Sequence, residues 1–142
     1  MRLDRSRALA RLEAETHGVL STVHPLRGAD VVPCMYVVDG DLVAIPIDTV
    51  KDKASTRLER ERNLEADPRA ALLVEHWNPT NWSALWWVRA QLRHVTNPEA
   101  SRIEVLEQAL ASRIDQYRER PFARLLVLEI VDLIGWSAEH NV

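Results

Sequence analysis

Leu85-Trp86-Trp87-Val88-Arg89-Ala90-Gln91-Leu92-Arg93-His94-Val95 changes character at almost every residue. Trp86, Val88, Ala90 and Leu92 fall on one side of an extended chain, and Trp87, Arg89, Gln91 and Arg93 on the other. That is the period-two alternation of a strand with one face in a core. The other face is polar yet carries an indole, so it meets something besides water. Four of the five tryptophans lie between positions 77 and 87, and four indoles carry roughly 600–1,000 Å² of surface. A soluble monomer rarely exposes a contiguous apolar patch above about 300–600 Å². A core, a second subunit or a flat ligand therefore covers much of this segment.

Outward from that strand the same reading gives the rest of the chain. Residues 3–16, rich in Arg, Ala, Leu and Glu, predict a surface helix ended by His17-Gly18. Strands are expected at 19–23, 31–38 and 41–47, with a turn at Pro25–Asp30 and a hairpin at Asp39-Gly40, as an antiparallel meander. A helix follows over 53–66 and stops at Asp67-Pro68, and a fourth strand covers 70–77. After the fifth strand, Asn97-Pro98-Glu99 reads as a helix start, and Ile103, Leu106, Leu110 and Ile114 form the stripe of a helix packed on a sheet. A sixth strand spans 124–134, before Gly135-Trp136. Six mostly hairpin-linked strands with two or three helices outside them point to a small α+β barrel.

Composition narrows the functional classes. A chain of 142 residues is read as one domain, 1–142, large enough to bury a real core. A net charge of −3 gives no general pull toward nucleic acid or anionic membranes. Cys34, the single cysteine, lies in the apolar run 31–38 and reads as a buried thiol of a reducing compartment. No apolar run reaches membrane-spanning length, and Met1-Arg2-Leu3-Asp4-Arg5 lacks the character of a signal sequence, so a cytoplasmic protein is expected.

The five histidines show no metal-ligand spacing, and neither a Gly-x-Ser-x-Gly elbow nor a glycine-rich phosphate loop occurs. A phosphate would have to meet side-chain cations instead. Lys51 and Lys53 stand at an expected helix start, where they oppose the helix dipole, with Arg57 one turn on. They either converge on an anion or are solvated charges paired with Asp48, Asp52 and Glu61. Ser21 and Thr22 put hydroxyls in an apolar strand, free to address a ligand or merely nearby backbone. The tryptophans offer either a wall for a planar ring or a subunit contact, and an interfacial site would make both true.

Several of these pieces recur together in a fixed order: Leu20-Ser21-Thr22-Val23, then Val32-Pro33, then Asp48 with Lys51 and Lys53, then Asn63-Leu64-Glu65-Ala66-Asp67-Pro68-Arg69. Glu75-His76, Trp82 and Leu85-Trp86-Trp87-Val88-Arg89 complete the series. As a set they resemble the split-barrel family of pyridoxamine-phosphate-oxidase-like flavin and deazaflavin proteins, and within it the class of deazaflavin (coenzyme F420)-dependent oxidoreductases. The resemblance implies a six-stranded antiparallel split β-barrel with peripheral helices, forming a homodimer with cofactor sites at the subunit interface. It implies phosphate contacts at Lys51, Lys53 and Arg57, ring contacts at Ser21 and Thr22, backbone ring contacts at Val32 and Pro33, and a closing loop carrying Trp82 and Trp87. The expected activity is hydride transfer between F420 and a small conjugated organic substrate. FMN in place of F420, or a dimer that binds cofactor without turnover, fits the same residues. Tyr36 and His76 are the candidate proton donors.

Overall fold

A computed structural model describes residues 1–49 and 58–139. Strand β1 (Arg2–Leu3) leads into helix α1 (Arg5–Ala14), whose N-cap Asp4 accepts the Arg7 N–H at 2.8 Å. Strands β2 (His17–His24), β3 (Gly28–Met35), β4 (Val37–Asp39) and β5 (Leu42–Asp48) follow. Helix α2 (Glu59–Ala66), β6 (Arg69–His76), β7 (Trp86–His94), α3 (Ala100–Arg113) and β8 (Phe122–Ser137) complete the described elements.

The strands form one eight-stranded antiparallel sheet in the order β3-β2-β6-β7-β8-β5-β4, with β1 added to β8. Its two edge strands, β3 and β4, are consecutive in the chain and separated by Tyr36 alone. The sheet must therefore curl until its edges come together. Tyr36 marks the join: its ring is fully buried, its N–H donates to Thr16 O at 2.9 Å and its hydroxyl to Leu12 O at 2.6 Å. This corrects the expected strand over 31–38, which breaks in two because Tyr36 turns into the core. It also corrects the simple meander, since β2–β3 and β4–β5 are hairpins at opposite ends of the strand order.

Alternation holds along the walls. Leu20, Leu72, Val88, Ala90, Leu92, Ile45 and Leu128 point into the barrel, where Ala8 and Leu12 of α1 meet them. A second cluster seats Leu106 and Leu110 of α3 against Val37, Leu42, Ala44 and Val127 on the outside. Strand β8 runs 16 residues, past the expected end at 134. It pairs with β5 in its first half and β7 in its second, and Val131 is skipped at a bulge within the β7 ladder, opposite Gln91 and Leu92. Helix α3 begins at Ala100 with Glu99 at its N-cap, not at Asn97-Pro98. Of the helix expected over 53–66, residues before 58 lie outside the described part.

Gly18 is required by proximity. A Cβ there would meet Leu73 O at 2.9 Å, closer than a side chain can stand to backbone, so the start of β2 can lie this close to β6 only with glycine here.

Candidate functional site

The outward residues of β2, β3, β6 and β7 form a shallow cleft of about 590 Å³. Val19 and Ser21 come from β2, Val31 from β3, Ala71, Leu73 and Glu75 from β6, and Trp87 and Arg89 from β7. Ladder register places them side by side: Ser21 is opposite both Val31 and Ala71, Leu73 lies between Val19 and Arg89, and Glu75 faces Trp87. The Arg89 guanidinium sits over the Trp87 ring, 5.8 Å from its centroid, and its Nε is buried without a hydrogen bond among the described residues.

A second cleft of about 390 Å³ lies between β3 and the start of α2, lined by Thr22, Arg27, Asp30, Val31, Val32, Leu58, Glu59 and Arg60. Its floor is a polar network. Asn63, 1% exposed, donates from Nδ2 to the Thr22 hydroxyl and to Asp30 Oδ2, both at 2.9 Å. Arg27 meets Asp30 with two bonds, at 3.1 and 2.7 Å. The Arg27 bond, then the Asn63 bond, hold the Asp30 carboxyl down at about 2. His24 accepts the Leu26 and Arg27 N–H groups at Nδ1, so its Nε2 carries the proton it turns toward Glu59, 3.3 Å away.

These placements sort the expected site residues. Ser21 and Trp87 come together in the first cleft, and Thr22 and Val32 in the second. Ser21 and Thr22, expected together at one ring, are neighbours in a strand and face opposite ways, and Thr22 is buried against Asn63. Pro33, opposite Val19, lines neither cleft. Trp82 lines neither one and stands 68% exposed on a short turn (Trp82–Ala84), with Trp77 at 5.7 Å. Lys51, Lys53 and Arg57 lie outside the described residues.

Of the candidate proton donors, Tyr36 is committed to Leu12 O in the core, where burial raises its hydroxyl far above its usual range. His76 is exposed and stacks on Trp86, 6.4 Å between centroids. Cys34 is buried, and burial pushes its thiol up to about 11. Among the described residues no group of three or more His, Cys, Asp or Glu could hold a metal, and no helix is long and apolar enough to cross a membrane. Sequence reading gave no role to Arg89, Glu75, Arg60 or Asn63. Alternation along 85–95 already placed Arg89 beside Trp87, whereas Asn63 and Arg60 become visible only when α2 docks on β2 and β3.

No family profile and no curated protein matches the sequence. Solved structures do match. A FAD-binding protein from Mesorhizobium loti superposes with a TM-score of 0.72 at 16% identity, over 95% of this chain and 93% of that one. A candidate pyridoxamine 5'-phosphate oxidase from Listeria innocua gives 0.64 at 16% identity, over 90% and 94%. A conserved protein from Mycobacterium tuberculosis gives 0.72 at 15% identity, over 96% and 86%. The fold is the pyridoxamine-phosphate-oxidase-like split barrel. In this split barrel the expected six strands become eight through the pair at β1 and the break at Tyr36.

Proposed function

We propose that the protein is a homodimeric oxidoreductase that binds coenzyme F420 in the first cleft and passes hydride between it and a small conjugated substrate. The observation that carries this reading is the cleft itself, an apolar hollow on an uncovered sheet face with a few polar groups converging on it. A planar ring fits its lining. About 590 Å³ is within the range of ligand sites. Val19, Val31, Leu73 and Trp87 offer apolar contact to the ring faces, while Ser21, Glu75 and the unbonded Arg89 Nε offer polar contact to its edge.

The deazaflavin, when bound, supplies the two-electron chemistry. The protein's part is to orient and to exclude water. The cleft is open on one side, and a second copy laid over β2, β6 and β7 would enclose it and cover Leu73 and Val31, which are exposed in the single chain. Enclosure strengthens the Arg89 and Glu75 charges felt by anything inside. The proton that accompanies the hydride comes from solvent in this reading, since the Tyr36 hydroxyl is locked in the core.

A flavin is the second reading, favoured by the names of structural neighbours, among them FAD-binding proteins from Mesorhizobium loti and Mycobacterium smegmatis. The test is titration of the purified protein with F420, FMN and FAD, followed by the loss of reduced-cofactor signal on addition of conjugated acceptors. F420 binding with turnover supports the first reading. Preference for FMN or FAD moves the assignment to flavin, binding without turnover makes the protein a carrier, and no binding ends both.

A further inference from the structure

A third cleft, of about 270 Å³, adjoins the first and is lined by Ser21 and Val23 of β2, Arg69, Ala70 and Ala71 of β6, and Gln91 of β7. Register puts three of these residues on one rung, with Ser21 opposite Ala71 and Ala71 opposite Gln91. Neighbouring strands stand about 4.8 Å apart, so the hydroxyl and the carboxamide rise from backbone positions about 10 Å apart, with only a methyl group between them. That is a slot with a low floor and a polar side chain at each end. Neither side chain makes a hydrogen bond among the described residues, and the Gln91 carboxamide can both donate and accept. The charge on the wall is already matched: Arg69 donates to Asp67 from Nε at 3.0 Å and from Nη2 at 2.7 Å. Those bonds hold the Asp67 carboxyl at about 2, so the pair stays ionised and closed on itself at neutral pH. Arg93, further along β7, stands opposite Glu129 and does not line the cleft. Across the ladder from Gln91 is Asp132 of β8, exposed. Directly opposed residues of antiparallel strands share a face, so the Asp132 carboxylate repels an anion brought to Gln91.

At about 270 Å³ the third cleft falls below the roughly 300–1,000 Å³ of sites that enclose a whole drug-sized ligand. It therefore takes one end of a small molecule whose body lies in the first cleft, reached over Ser21 and Ala71, which line both. We propose that the Ser21–Ala71–Gln91 rung is the head-group subsite of the substrate, and that Gln91 selects a neutral carbonyl or carboxamide over a carboxylate. A neutral head group exchanges its water for the Gln91 amide and the Ser21 hydroxyl. A carboxylate would lose its hydration, find the Arg69 charge committed to Asp67, and meet Asp132. That the ligand is a substrate lying beside a cofactor ring rests on the reading of the first cleft given above, while the preference for a neutral head group stands on the third cleft alone.

The test uses three flat probes: 1-naphthamide and 1-naphthoate, which match in shape and differ in charge, and naphthalene, which has no head group. Dissociation constants are measured by calorimetry for the protein alone and for the protein loaded with whichever of F420, FMN and FAD binds. Wild type should bind 1-naphthamide more tightly than either other probe. Gln91→Leu should weaken 1-naphthamide by about 2–10-fold, the loss of one hydrogen bond between neutral groups, and leave naphthalene no weaker. Gln91→Lys supplies the free cation that the slot lacks and should reverse the order, placing 1-naphthoate ahead of 1-naphthamide. Gln91 is on the open face of the sheet, and unchanged melting temperatures without ligand verify that each variant folds. A wild type that prefers 1-naphthoate, that binds none of the probes, or whose preference is the same in Gln91→Leu would overturn the subsite and leave the cofactor reading intact. Weakening of the cofactor itself in Gln91→Leu, with the preference among probes unchanged, would overturn it too, since the rung would then read the edge of the cofactor ring. Discrimination that depends on Gln91 in a protein that binds none of the three cofactors would end the cofactor reading and leave the neutral subsite standing.

Discussion

Replacing Asn63 by leucine should destabilise the protein far more than a change in a short peripheral helix ordinarily would. Asn63 is 1% exposed and spends one amide group on two acceptors, the buried Thr22 hydroxyl and Asp30 Oδ2. The bond between neutral groups is worth about 0.5–1.5 kcal/mol net and the bond to a carboxylate about 1.5–3. The second sits at the low end of its range, because the Asp30 side chain is 26% exposed and keeps Arg27. The sum is about 2–3 kcal/mol. With a urea m-value of about 1–3 kcal/mol/M, the unfolding midpoint should fall by about 0.7–3 M. The effect should also depend on pH. Asp30 is held at about 2 in the fold, below the roughly 3.9 of an unfolded chain. Its contribution is therefore present above about pH 4 and lost as pH falls through 2. The gap between wild type and variant should be widest near neutrality and narrow across that window, leaving the Thr22 part. Urea curves at pH 7, 4 and 2.5 measure this. A neutral-pH loss below about 0.5 kcal/mol, or a gap that widens in acid, would refute the account of the network.

Light scattering at micromolar concentration should give the mass of a dimer whose interface buries at least about 1,000 Å² in total; a monomer would leave the first cleft open and remove the enclosed site. Indole fluorescence should fall on titration with the bound cofactor, and Trp87→Phe should remove most of that quenching, whereas Trp82→Phe, outside the cleft, should remove less; the reverse order would place the ring on the exposed Trp77–Trp82 pair instead. Alanine at Lys51, Lys53 or Arg57 should each weaken cofactor binding by about 10–100-fold, more so at low salt, with little change in melting temperature; three unchanged affinities would return them to surface charge. Gly18→Ala should lower the urea midpoint sharply, since its methyl group would press on Leu73 O; a variant as stable as wild type would mean that β2 and β6 part easily.

How much of this was legible beforehand varies with the range of the interaction. The strand at 86–94 was readable because alternation is local, and Val88, Ala90 and Leu92 are buried as their spacing required. The break at Tyr36 was not, because Val31 to Val38 is an almost unbroken apolar run and the reason for the break is the Leu12 carbonyl, far away in the chain. Ser21 and Thr22 were visible as candidates, but the resemblance transferred them as a pair while the strand separates them. Nothing in the sequence around Asn63 announces that its amide spans β2 and β3, since that depends on three elements meeting. Arg60 was hidden by its setting, one cation among the many of 51–62.

The opposite facing of Ser21 and Thr22 has an evolutionary consequence. Adjacent codons serve different clefts, so a mutation at position 21 can retune what lies beside Trp87 without disturbing the Asn63 network below, and one at position 22 does the reverse. Apart from Val31, which lines both, the two clefts can then drift independently while the barrel between them stays unchanged. Relatives of this chain that differ in ligand should vary at alternate positions along β2 and β3, positions 19 and 21 apart from positions 22, 30 and 32, with 31 coupled to both.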